Sequence, residues 1–142
     1  MGSSSQPYQE DLGMGSSSQP PGLDHVQLAA PPGCEHAARE FYGELLGLRE
    51  LEKPASLRGR GGVWFELAGG QLHIGVQEPF VPAGKAHPAL RLADERALRA
   101  LAARLEAAGV DVAWDERVAG VCRFFTADPW GNRLELLSPG PG

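Results

Sequence analysis

Only four histidines occur among the 142 residues, and three of them fall into a pattern. A displacement of 62 positions carries His25 onto His87 and His73 onto Glu135. Imidazole nitrogen favours zinc, nickel, iron or copper, and a carboxylate adds a hard oxygen and negative charge, so this donor set suits a divalent first-row metal. In an extended strand alternate side chains share a face, and two such pairs facing one groove would make a four-ligand cup of His25, His73, His87 and Glu135. A single strand histidine is more often a hydrogen-bonded core or surface residue. Pairing under one displacement reverses that expectation for His25, His87 and Glu135. His73 stays open between a fourth ligand, a group supporting the ligands, and a proton carrier beside a free coordination position. His36 lies in the first turns of a helix among Glu35, Arg39 and Glu40 and reads as solvated surface.

Positioning those donors requires strands in a repeated order, and the order is legible. Leu23 to Ala30 alternates His25 and Gln27 against Val26 and Leu28, which predicts a strand. Glu35 to Leu46 places Ala38, Phe41, Tyr42 and Leu45 at helical spacing, and Gly47 supplies the stop. Three strands follow near Arg49 to Glu52, Gly62 to Leu67 and Gln71 to Gln77, the last two joined at Gly69-Gly70. Residues 79–86, rich in Pro and Gly, read as a linker. The same order then returns: a strand from His87 to Leu92, a helix from Glu95 to Ala108 stopped by Gly109, and strands near Val112 to Trp114, Cys122 to Thr126 and Arg133 to Leu137. The displacement of 62 also aligns Gly47 with Gly109, Gly69 with Gly131, and Leu72 with Leu134. Residues 22–78 and 87–142 are therefore two βαβββ modules of one α+β domain. Residues 1–21 repeat Met-Gly-Ser-Ser-Ser-Gln-Pro and offer no core, so they read as leader sequence outside the fold.

Composition narrows the function classes. One domain fits this length, and 42% hydrophobic with 22% charged residues is ordinary for a globular chain. A formal charge of −5 argues against nucleic acid or anionic membrane as partner, and no apolar run is long enough to span a bilayer. The partner expected is a small molecule, in the cytoplasm. Cys34 and Cys122 form neither a disulfide framework nor a thiolate metal motif.

His25-Val26-Gln27-Leu28, the helix Ala38-Arg39-Glu40-Phe41-Tyr42 leading to Leu46-Gly47-Leu48, and above all Asp128-Pro129-Trp130-Gly131-Asn132-Arg133-Leu134-Glu135-Leu136 resemble the vicinal oxygen chelate superfamily. That family includes glyoxalase I, extradiol dioxygenases, fosfomycin-resistance transferases, methylmalonyl-CoA epimerase and bleomycin-binding proteins. The resemblance implies paired βαβββ modules in a curved, U-shaped mixed sheet around a central cavity, a divalent ion (zinc, nickel, iron or manganese) and, in small members, a homodimer. It also implies that His25, His87 and Glu135 fill the family's usual ligand positions, while His73 stands where glyoxalase I and the epimerase carry glutamate or glutamine. Metal-dependent lyase or isomerase chemistry on a small oxygenated substrate is then expected, with Glu135 and His73 moving the proton. An Fe(II) extradiol-type dioxygenase using His25, His87 and Glu135 as a facial triad is the alternative enzyme, and a bleomycin-resistance-like binding protein the non-catalytic one. Gln27 and Arg91, on the same strand faces as His25 and His87, are candidates to bind substrate oxygen or carboxylate. Asp128 and Asn132 are expected to serve their turn, and Trp64, Phe65, Phe124, Phe125 and Trp130 to supply core or apolar wall.

Overall fold

In the computed structural model, which describes residues 18–141, each half of the chain builds its own four-stranded mixed sheet. Most of the stretch read as leader, residues 1–17, lies outside the described residues. The first sheet contains β1 (His25–Ala30), β2 (Glu50–Leu51), β3 (Val63–Leu67) and β4 (Gly70–Val76) in the order β1-β4-β3-β2. The second contains β5 (Ala89–Arg91), β6 (Ala113–Asp115), β7 (Val121–Ala127) and β8 (Arg133–Pro139) in the order β5-β8-β7-β6. In both, the first strand pairs parallel with the last and the remaining pairs are antiparallel. These are the two tandem βαβββ modules expected from the repeat, and their strands divide into two sheets.

The helix of the first module starts as α1 (Glu35–Ala38) and continues as a π-helix over Arg39–Leu45. Its wider winding shows in the bond from the Leu46 N–H to the Phe41 carbonyl, 2.9 Å, five residues back. The helix of the second module, α2 (Glu95–Ala107), is ordinary α and is well specified locally. Asp94 caps it by accepting from the Ala97 N–H at 2.9 Å, and Arg99 pairs with Glu95 one turn away at 2.7 Å. Leu98, Leu101, Ala102 and Leu105 form its buried stripe. The Val110 N–H closes the helix on the Leu105 carbonyl, 2.9 Å, past Gly109 at φ +82°.

Both helices and one face of each sheet contribute to a single apolar cluster, with Tyr42, Phe65, Leu72, Leu98, Leu105, Phe124 and Leu134 fully buried. The two halves are also tied by polar groups. Asp128 accepts from the Tyr42 hydroxyl at 2.7 Å, the Asn132 side chain donates to the Ala29 carbonyl at 2.8 Å, and Arg104 Nε donates to the Leu45 carbonyl at 3.2 Å. Asp128 further holds the Trp130 N–H and both nitrogens of Asn132, so the turn residues serve the turn and also join the modules. Gly62, at the entrance to β3, is packed so closely that a Cβ would stand 2.2 Å from the Ile74 carbonyl oxygen, and its φ is +84°. Its N–H is held by Glu35 Oε2 at 2.6 Å, which draws that carboxyl below the usual range and fixes the start of α1 to the sheet. Since each sheet spends one face on this core, the opposite faces are left to carry the site.

Candidate metal centre

On the outward face of the first sheet, register sets Gln27, His73, Trp64 and Leu51 side by side across four strands, with His25 and Gln71 in the next row. His73 is nearly buried and lies flat between two rings. Trp64 stacks on one side at 3.9 Å between centroids with parallel planes, and His25 on the other at 4.3 Å and 18°. Burial foremost, and then the neighbouring His25, lower the His73 pKa, so the ring is held neutral. Its Nε2–H donates to Gln71 Oε1 at 2.8 Å, which leaves Nδ1 as the lone-pair nitrogen. The His25 Nδ1–H donates to Asp24 Oδ2 at 2.9 Å, leaving Nε2 open. Gln27 lies over Gly75, where a Cβ would come within 2.7 Å of its Nε2.

The second sheet carries the other pair. His87 sits two residues before β5 rather than inside the strand that the sequence suggests, and it reaches Glu135 diagonally across the ladder. His87 Nε2 and Glu135 Oε1 are 3.0 Å apart. The other ring nitrogen, Nδ1, faces the Lys85 carbonyl at 2.8 Å, and a carbonyl only accepts. Nδ1 therefore carries a proton, and Nε2 confronts a carboxylate oxygen across a gap that only a proton or a metal cation can fill favourably. Adjacent ligands with bonds of about 2.1 Å on one ion are separated by about 3.0 Å at right angles and about 3.4 Å at the tetrahedral angle, so this pair is spaced for a six-coordinate first-row ion and would open by a few tenths of an ångström for zinc. The second oxygen of Glu135 accepts from Arg123 at 3.1 Å, and Arg123 also reaches Asp115 at 2.9 Å. Asp115, gripped on both oxygens by Arg117 and by Arg123, is held far below the usual carboxylate range. Phe125 stands beside Glu135, with His87 at its edge and the Arg133 guanidinium 4.2 Å from its ring centroid.

The structure thus brings His25 to His73 and His87 to Glu135, and does not gather the four. No cluster of three or more His, Cys, Asp or Glu able to hold an ion occurs within the chain among the described residues. Gln27 and Arg91 are exposed on the faces expected of them, and His36 is surface, 87% exposed at its side chain. The aromatic residues divide: Phe65 and Phe124 are core, whereas Trp64 and Phe125 belong to the site faces. A hollow of about 260 Å³ between Arg39, Lys53, Arg58 and Trp64 opens at the β2 edge, on the strand side that carries Trp64.

Sequence reasoning missed Trp64 and Phe125 as matching residues because the third strands repeat at 61 positions, one fewer than the last strands. Trp64 pairs with His73 as Phe125 pairs with Glu135. The difference is one extra residue in the second turn, where Asp128 and Asn132 bracket three residues and Leu67 and Gly70 bracket two. Arg123 was missed for a related reason: only the register of the β7–β8 ladder brings it to Glu135.

Two tandem βαβββ modules of this kind define the class. The model of the Glyoxalase/Bleomycin resistance protein/Dioxygenase superfamily matches residues 22–136, and the chain belongs to that superfamily. A protein of known structure assigned to the glyoxalase family, from Bacillus anthracis, is 41% identical with a TM-score of 0.81, over 88% of this chain and 100% of that one. The fold is shared at lower identity with lactoylglutathione lyase from Agrobacterium tumefaciens (20%, TM-score 0.65, 84% of this chain and 94% of that one). It is shared too with a fosfomycin resistance protein from Listeria monocytogenes (18%, TM-score 0.68, 86% and 96%). Comparison with the curated proteins finds no match.

Proposed function

We propose that this protein is a metal-dependent enzyme acting on a small oxygenated molecule by lyase or isomerase chemistry in the cytoplasm. The observation that carries the reading is the His87–Glu135 pair, whose facing nitrogen and oxygen call for a cation while the far nitrogen is tied to Lys85. A bound ion would supply Lewis-acid stabilisation of charge developing on a substrate oxygen. His25, His87 and Glu135 are the residues to hold it. Because the pairs do not meet within the chain, the reading joins the first-sheet face of one subunit to the second-sheet face of its partner in a homodimer.

His73 is better suited to proton transfer than to ligation. Two stacked imidazoles direct their in-plane lone pairs along nearly parallel planes, which do not converge on one atom. Pressed against Trp64 and kept neutral by burial, His73 has a lone pair on Nδ1 with which to take and return a proton. Arg123 fixes the orientation of Glu135, while Trp64 and Phe125 shield the two faces from water.

Elemental analysis of purified protein, before and after chelation, tests this. Stoichiometric zinc, nickel or manganese is expected, lost by at least tenfold in His87→Ala or Glu135→Ala and retained in His73→Ala. Iron in place of these metals would favour oxygen-dependent ring cleavage, and a metal-free protein would defeat the proposal.

A further inference from the structure

The outward face of the second sheet is cationic on a chain whose formal charge is −5. Register arranges it in rows. Arg91, Leu137, Arg123 and Asp115 form one row, and Ala89, Glu135, Phe125 and Ala113 the next. Arg133 and Ala127 then lie beyond Phe125, in the row nearest His87. Arg123 is committed to Glu135 and Asp115, and Arg117 shares in neutralising Asp115. Arg91 and Arg133 make no ion pair among the described residues. Arg133 is nonetheless positioned, because its guanidinium rests 4.2 Å over the Phe125 ring, which orders the cation without neutralising it. The first sheet has no counterpart: the matching positions there are Ala29, Gly62 and Gln71. Duplication alone therefore does not account for the arginines.

We propose that this face recognises an oxyanion, a carboxylate or phosphate-like group on the substrate, with Arg133 as its direct partner and Arg91 as a second cation drawing it in. A guanidinium stacked on a ring keeps its N–H edge for a paired hydrogen bond to two oxygens, the arrangement that distinguishes arginine from lysine. The guanidinium lies over Phe125, the cross-strand neighbour of Glu135, so the charged group binds beside the oxygens that approach Glu135. The substrate class is a small anion whose charged end is separated by a few bonds from its reacting oxygens. This rests on the reading of the His87–Glu135 face as the substrate wall.

Inorganic phosphate and malonate, titrated separately against the chelator-treated protein by calorimetry, serve as probes of the tetrahedral and planar forms. Binding of at least one is expected, weakened about tenfold or more in Arg133→Gln and only partly recovered in Arg133→Lys. Arg91→Gln should weaken it a few-fold, with a flatter salt dependence. Arg96→Gln, on the exposed side of α2, should leave it unchanged. Equal affinity in wild type and Arg133→Gln, or equal loss in Arg96→Gln, would overturn the assignment, as would failure to bind either probe. Metal content of the same variants separates the two readings. Anion binding lost with metal retained in Arg133→Gln supports the oxyanion site, and anion binding retained in a protein that takes up no metal would sink the metal centre alone.

Discussion

The Tyr42 hydroxyl is the clearest single group that crosses between the halves. It is buried and donates to Asp128, and burial first and the Asp128 charge second push its pKa well above the usual tyrosine value. Tyr42→Phe removes a bond to a charged acceptor and is expected to cost about 2 kcal/mol at pH 7 in urea unfolding. The sign of the pH dependence follows. The folded state keeps the proton while the unfolded chain releases it near pH 10, so this contribution is complete below about 10 and falls as pH climbs beyond it. The gap between wild type and Tyr42→Phe should therefore narrow above that pH, and a constant gap would refute the linkage. Of the residues at the candidate site, the pairs His25–His73 and His87–Glu135 are suggested by the repeat, because residue type and displacement are sequence properties. Asp24 is visible as a neighbour of His25, but the Lys85 carbonyl is not, since every residue has one. Arg123 and Phe125 become partners of Glu135 only through strand register, which hydrophobic alternation leaves undetermined to within two residues.

Elements were easier to read than contacts. The apolar stripe, cap and stop of α2 all lie within a short stretch, and the helix stands where those signals put it. Asp94→Ala should remove the Ala97 bond and cost about 1 kcal/mol, read as a lowered urea midpoint with unchanged helix content. The first helix shows the limit. Ala38, Phe41, Tyr42 and Leu45 satisfy α spacing, and nothing in that spacing announces the change to five-residue bonds over Arg39–Leu45. The 3-10 turn at Ala55–Arg60 was likewise unmarked by any apolar period. Gly62 is where element and site meet. Gly62→Ala forces a methyl against the Ile74 carbonyl at a positive φ and should cost at least about 2 kcal/mol, measured as a fall in Tm. Because β3 carries Trp64, the same change is expected to loosen the ring stack on His73.

At the scale of the molecule, the division of donors between two sheets makes assembly testable. If each centre takes one pair from each subunit, a mixture of His25→Ala and Glu135→Ala proteins, each metal-poor alone, should regain metal after subunit exchange. Half of the random pairs are mixed and each mixed pair has one intact centre, so about one quarter of the wild-type content is expected. No recovery, with exchange demonstrated, would rule out the shared centre. The overall plan of two βαβββ modules was legible because the duplication is written across the chain, and the matching solved structures have the same architecture. How the modules join was not, because the partners of Asp128, Asn132 and Arg104 lie in the other half and are brought to them only by tertiary packing. A polypeptide made by repeating the first half twice would reproduce its strands but would lack the first two of these polar ties, since Leu67 and Gly70, which stand where Asp128 and Asn132 do, offer neither the aspartate that grips Tyr42 nor the asparagine that grips Ala29. Two side chains of one short loop thus add buried polar ties to halves that already share an apolar core.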